Sequence, residues 1–348
     1  MKKLFSFVLL AMMMVACKTF AQSSLLATLS HDGAISTFYG AKALQEAHAA
    51  AAAGDAITLS SGTFVSTNIT KPIILRGAGM EVDTVNNIAP TILTGNFTIQ
   101  VKNTDKAKLT IEGIYNNNVI RIADTLTNAT FLKSRFLEID NTSDVSGYAN
   151  NLMIIHCKVT NRLRLLGGSS VSMINSYLED VGSFRDVTAY FQFENCVLNW
   201  TYTRLYEINS NYYEQISNIK NSTFKNCIIL RTGDTYVLSI PSTSSAYNSI
   251  SFYKTFDNIP NTTNSVVSGW SSIFKTYDGN YNDLESWELT DDAKTKYKGT
   301  DGTEVGIHGG SLPFSPTPSN PQITKCNVAA KSTADGKLSV DIEVAGAE

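Results

Sequence analysis

The sequence predicts an all-β chain, a parallel β-helix solenoid with an N-terminal capping α-helix and a C-terminal β-hairpin cover. Three observations carry this. An alanine-rich run stops at Gly54-Asp55 and is followed by short β-rich pieces. Six-residue stretches in the centre of the chain align into columns at a spacing near 20 residues. Asn, Thr and Ser dominate the polar residues, while charged residues make up only 17% of the 348, against about 25% in an ordinary soluble domain.

The first segment, MKKLFSFVLLAMMMVACKTFAQSS, has the form of an export signal. Lys2 and Lys3 form a positive start, and Leu4 to Ala16 an apolar core too short to span a bilayer. Cleavage before Gln22 assigns residues 1–21 to the signal. Lipidation at Cys17 after Val15-Ala16 is the competing reading, although Met14 fits that signal poorly. No later apolar run is long enough for a transmembrane helix.

A helix is expected over residues 40–53, where Ala41, Ala43, Leu44 and Ala47 favour it intrinsically. Gly54 suits the left-handed residue that ends a helix. AITLSSGTF and KPIILRGAG then read as short strands ended by Gly. Ile57 and Leu59 begin the inward-facing columns.

The repeat follows. FLKSRF, IIHCKV, MINSYL, FENCVL and FKNCII start at Phe131, Ile154, Met173, Phe193 and Phe224. Their first column is large and apolar. The fourth is small: Ser134, Cys157, Ser176, Cys196 and Cys227. The sixth is apolar: Phe136, Val159, Leu178, Leu198 and Ile229. Asn175, Asn195 and Asn226 stand in the third. The fourth-column spacings are 23, 19, 20 and 31 residues. A weaker copy, TIEGIY, places Gly113 in the small column. A helical repeat needs about 34–47 residues per unit, and Leu is not at fixed offsets as a leucine-rich repeat requires. A β-helix coil of three short strands remains, with like residues stacked about 4.8 Å apart and asparagines laddered at a turn.

The entry segment AAAAAGDAITLSSGTF and the NC and NS turns resemble the right-handed parallel β-helix, or pectate-lyase-like, superfamily. The tail DGTEVGIHGGSLPFSPTPSNPQI resembles the end of exported members from gut-type Gram-negative bacteria. The resemblance covers roughly residues 25–320. It implies a right-handed coil over residues 22–305. Residues 306–348 then hold a Pro/Gly-rich segment and a terminal hairpin, QITKCNV and KLSVDIEV about Ala334-Asp335-Gly336. Such a hairpin can cover the last coil, whose open edge invites aggregation.

Function is less constrained. A formal net charge of -3 leaves no basic surplus for nucleic acid. His31, His48, His156 and His308 are scattered, so no zinc set is expected. Cys157, Cys196 and Cys227 share one inward column. Cys196 and Cys227 lie on adjacent coils if the 31-residue gap is one coil with a long loop, and they can then pair. The alternative is a stack of small buried residues in which Ser and Cys interchange. Sequon-like triplets such as Asn68-Ile69-Thr70 and Asn221-Ser222-Thr223 are chance products of this composition.

The resemblance implies calcium-binding acids plus a basic residue in lyases, and paired acids in hydrolases. The hydrolase signatures do not occur together: one DD stands at Asp291-Asp292, and IHGG at Ile307 to Gly310 is a different motif. Asp140 and Asp144, with Glu179 and Asp180, can approach on one face and hold calcium under the lyase reading; otherwise they are solvated turn carboxylates. Arg135, Arg162, Arg164 and Arg185 lie on the coils. Arg164 or Arg185 beside Asp180 can make an acid–base face, against the common fate of such residues as salt bridges. The stronger binding feature is NWTYTRLYEINSNYYEQ in the oversized coil. Trp200, Tyr202, Arg204 and Tyr206 alternate onto one strand face, where rings can stack on sugars or pack on the coil flank. The expectation is an exported monomer that binds or acts on polysaccharide at the cell surface. A divergent lyase or hydrolase, and a structural or adhesive envelope protein, are the alternatives.

Overall fold

The structure, a computed structural model, describes residues 25–141, 148–166, 168–179, 181–184, 190–199, 221–230, 243–252, 259, 263–279, 282, 285–319, 322–328, 335–337 and 339–345. It is an all-β parallel solenoid of about 7 turns. Two long sheets run along it, one of 11 strands and one of 12. A third face carries a two-stranded parallel pair, Leu126–Thr127 with Ala149–Asn150.

The columns read from the repeat are the rungs of these sheets. Phe131, Ile154, Met173, Phe193 and Phe224 pair successively in the first sheet. Phe136, Val159, Leu178, Leu198 and Ile229 do so in the second. All ten are buried. The rings of Phe191 and Phe193 stack at 5.4 Å, and those of Phe193 and Phe224 at 5.2 Å. The 31-residue gap is a single coil, since the strands on either side of it pair directly.

Between the two sheets every coil turns one corner. The third-column residue takes a left-handed conformation: Lys133, His156, Asn175, Asn195, Asn226 and Asn248 all have φ between 42° and 56°. The small residue after it reaches back to the carbonyl two residues earlier. Ser134 Oγ donates to Leu132 O at 2.8 Å, Cys157 Sγ to Ile155 O at 3.3 Å and Ser176 Oγ to Ile174 O at 2.7 Å. Cys227 Sγ donates to Lys225 O at 3.3 Å. Serine and cysteine therefore interchange because both are small and both donate. The three cysteines of this column are free thiols, which settles the choice between a disulfide and a small-residue stack in favour of the stack. Burial raises the Cys157 thiol to about 12. Burial and the adjoining Cys227 thiol raise Cys196 as well.

Two details of the expected repeat are corrected. Gly113 (φ 67°) occupies the left-handed column, and Ile114 takes the small position, its N–H donating to Ser134 Oγ at 3.1 Å. The corner thus needs the glycine one place earlier than the TIEGIY alignment put it. The asparagine ladder is discontinuous: Asn226 Nδ2 donates to Asn195 Oδ1 at 3.0 Å, but Asn175 Nδ2 turns away to carbonyls of the C-terminal segment. A further copy, Ala246 to Ser251, had its signal in Asn248-Ser249.

The capping helix, α1, is Ala43–Ala50, shorter than 40–53 because Ala51 is already extended at ψ 155°. Its C-terminal carbonyls are taken by one ammonium. Lys71 Nζ donates to His48 O, Ala49 O and Ala51 O at 2.8, 3.0 and 2.6 Å, as a cation at that end of the dipole should. Ala43, Leu44, Ala47 and His48 form its buried face. Beside it, β1 (Leu26–His31) and β2 (Ala34–Tyr39) form an antiparallel hairpin on β3 (Ala56–Leu59). The sequence reading missed this hairpin, although Asp32-Gly33 between alternating runs signals it. Asp32 and Gly33 have φ of 47° and 81°. The terminal hairpin forms as expected, β4 (Gln322–Val328) pairing with β5 (Val340–Ala345).

After the last coil the chain doubles back. Trp270, Phe274, Tyr277, Trp287, Leu289, Val305 and Ile307 build a second core over outward residues of the second sheet, Tyr177, Val197, Ile228 and Ile250. Within this segment α2 (Asp291–Lys296) is capped by Thr290 Oγ1 accepting from Ala293 N at 3.2 Å. Asp291-Asp292 is the acidic first turn of that helix. No helix of the described residues is long and apolar enough to cross a membrane.

Phe193→Ala should cost about 3–5 kcal/mol, read from urea unfolding; a loss below about 1 kcal/mol contradicts the stacked column. Cys157, Cys196 and Cys227 should resist a thiol reagent at pH 8 until the chain is denatured. Rapid labelling of the native protein at any of the three contradicts their burial.

Candidate functional site

One outward column of the second sheet organises the flank. Ile92, Tyr115, Arg135, Lys158, Tyr177, Val197, Ile228 and Ile250 are successive rung partners. From Tyr177 onward the column is covered by the returning segment. From Ile92 to Lys158 it floors a groove of about 550 Å³. One wall is the loop with Met80, Glu81 and Val82; the other is the strap with Ile307, Phe314 and Pro316, and Glu285 and His308 complete it.

The strap, residues 298–319, is held by the corner column. Asn248 Nδ2 donates to Lys298 O at 2.8 Å, and Asn226 Oδ1 accepts from Thr300 N at 2.8 Å. Asn175 Nδ2 donates to Ile307 O and Gly309 O at 2.8 and 2.7 Å. His156 Nε2 donates to Leu312 O at 3.0 Å. Ser319 N donates to Glu112 Oε1 at 2.6 Å. Close approach explains Gly309-Gly310: a Cβ on Gly309 would lie 1.8 Å from Glu304 O, and one on Gly310 2.5 Å from Asn195 Nδ2. The HGG motif is thus a packing device.

Inside the groove, the Arg135 guanidinium lies over the Tyr115 ring, 4.8 Å from its centroid. Lys158 Nζ is 2.5 Å from Glu81 Oε1 and 5.7 Å from the centroid of the Phe314 ring. His308 Nε2 donates to Ser286 O at 2.7 Å. Glu285 is 4% exposed. Its Oε1 accepts from Thr276 Oγ1 and, at 3.3 Å, from Trp287 N, while its Oε2 makes no hydrogen bond.

The expected acid–base residues lie elsewhere and are mostly tied. Arg164 and Asp140 meet as an ion pair at 2.9 Å, and Arg162 and Glu138 do the same at 2.8 Å on adjacent rungs. Burial raises the Asp140 carboxyl, with Arg164 opposing. Glu179 joins a separate network: it accepts from Tyr177 Oη and, at 3.0 Å, from Asn199 Nδ2. Tyr177 stacks on Trp287 at 5.1 Å. Asp144, Asp180 and Arg185 lie outside the described residues, as do Trp200, Tyr202, Arg204 and Tyr206. Among the described residues no three His, Cys, Asp or Glu side chains converge on a metal-sized site. Of the basic residues named from the sequence as acid–base candidates, Arg135 lines the groove among the described residues, and Ile307 and His308 of the IHGG segment line it as well. The signal that marks the groove is the fifth position of the repeat, which changes from Arg135 and Lys158 to Tyr177, Val197 and Ile228 along the chain. Compared with protein-family models, curated proteins and solved structures, the chain matches none.

His156 connects the strap to pH. Burial lowers its pKa below the ordinary 6.5, with Lys133 adding to the shift and the Leu312 carbonyl opposing it. Between 6.5 and that lowered value the unfolded chain binds more protons than the folded one. Stability held through this group is therefore full above 6.5 and declines as pH falls through the window. His156→Asn keeps a residue suited to the left-handed corner and should flatten the fall in Tm from pH 7.5 to 5 relative to wild type. Parallel Tm profiles for the two proteins contradict the assignment.

Proposed function

We propose that this chain is a saccharide-binding β-solenoid, exported and acting at the cell surface, with the groove between the second sheet and the strap as its binding site. The carrying observation is the groove's composition: partly exposed rings of Tyr115 and Phe314 flank it, with Arg135 and Lys158 beside them on consecutive rungs. Aromatic faces suit the apolar faces of sugar rings, and polar groups at their edges suit hydroxyls. The groove follows the solenoid axis over four rungs, a shape suited to several residues of a polymer. Binding is favoured over cleavage because Asp140 and Arg164 neutralise one another and Glu179 is engaged by Tyr177 and Asn199. The aromatic segment with Trp200, Tyr202, Arg204 and Tyr206, which follows Asn199 in the sequence, is proposed as a further contact surface.

The test is retention of the purified chain on a broad panel of immobilised polysaccharides. Tyr115→Ala and Phe314→Ala should each weaken binding roughly tenfold, equivalent to about 1.4 kcal/mol, with far-UV circular dichroism unchanged. No retention on any polymer sinks the proposal.

A further inference from the structure

Charge bookkeeping inside the groove goes further than the presence of rings. Its described lining holds two carboxylates, Glu81 and Glu285, and two cations, Arg135 and Lys158. The sum is zero. Each cation is also engaged locally. Lys158 is 6% exposed and sits between Glu81 Oε1 at 2.5 Å and the face of Phe314. Arg135 has one face against Tyr115. The remaining surface is mainly apolar, from Met80, Ile92, Phe314 and Pro316.

A ligand carboxylate entering this site must leave water, and the described lining it meets carries no net positive charge to repay that loss. It has to displace Glu81 from Lys158 or add a third negative charge beside Glu285. Desolvating a charge without a partner is strongly unfavourable. A ligand ammonium faces the same problem with the sign reversed, since Arg135 and Lys158 stand in the same short column. Hydroxyl groups escape both penalties, because they exchange hydrogen bonds with water for hydrogen bonds with protein.

We infer that the groove selects uncharged polysaccharide over both acidic and amino-sugar polymers, and that the Glu81–Lys158 ion pair is the element that rejects acidic ones. The inference rests on the saccharide reading above. Glu81 lies on the loop wall with its side chain 31% exposed, so Glu81→Gln can be made without opening the core. That change leaves Lys158 with its charge uncovered toward the groove.

The experiment measures binding of the full chain to a neutral glucan, to polygalacturonate and to chitosan at one fixed ionic strength. The wild type should bind the neutral polymer at least tenfold more tightly than either charged one. Glu81→Gln should narrow the gap between neutral and acidic polymer by about tenfold, and added salt should restore it. Wild-type binding to polygalacturonate or chitosan as tight as to glucan overturns the inference and leaves the saccharide reading standing. An unchanged preference in Glu81→Gln overturns the role given to the ion pair. Failure of all three polymers to bind overturns this inference, and failure of the broad panel as well overturns the saccharide reading with it.

Discussion

The corner between the two long sheets is the constraint on which the rest of this molecule depends. At each corner from Lys133 to Asn248 a residue with positive φ reverses the chain, and the next side chain is small enough to stay inside and polar enough to hold the carbonyl two residues back. Most side chains fail one of these demands. Serine and cysteine meet both, and asparagine tolerates the left-handed position that precedes them. Once the corner is repeated, the strands on either side fall into register without further instruction, and phenylalanines, leucines and isoleucines stack because each coil presents the same cross-section. The thiols here are buried structural hydrogen-bond donors, not nucleophiles.

The same corners also serve the outside of the molecule. Their amides and one imidazole face outward along a line, and the chain that leaves the last coil runs back over that line. Asn175 illustrates the exchange: its amide abandons the ladder and holds two strap carbonyls. His156 makes an equivalent bond with a titratable ring. The strap in turn buries half of an outward column of the second sheet and leaves the other half open. The groove is therefore a by-product of where the strap crosses the flank, with its floor supplied by rungs and its roof by a segment of low complexity, GIHGGSLPFSPTPS.

Much of the fold was legible because it repeats. Stacking five hexapeptides exposed the buried columns correctly, since burial acts on every copy at once. Single events were harder to read. The Leu26–Tyr39 hairpin occurs once, and its Asp-Gly turn lay among other turn residues. The helix ends early where Ala51 turns extended, and its final carbonyls go to Lys71, distant in sequence. Gly113 was placed one column late because its copy lacks the Ser or Cys that anchors the alignment. The candidate site was almost illegible for a related reason. Its residues come from a loop, four rungs and the returning strap, and no local pattern announces that assembly. The fifth column was visible in the same alignment, but its change from charged to apolar acquires meaning only when something is known to cover the apolar part. Glycines of the HGG motif, set aside as a failed catalytic signature, turned out to mark where the strap approaches most closely.

The returning strap also changes how the chain must behave as a polymer. A plain solenoid is a one-dimensional stack in which each coil knows only its neighbours, so its ends can fray independently. Here Ser319 meets Glu112, 207 residues away in sequence, and the strap touches corner after corner between them. Those contacts add long loops to the contact map and cannot form until several coils exist to receive them. The strap thus acts as a late clasp, and it couples rungs that would otherwise melt piecemeal into one cooperative unit.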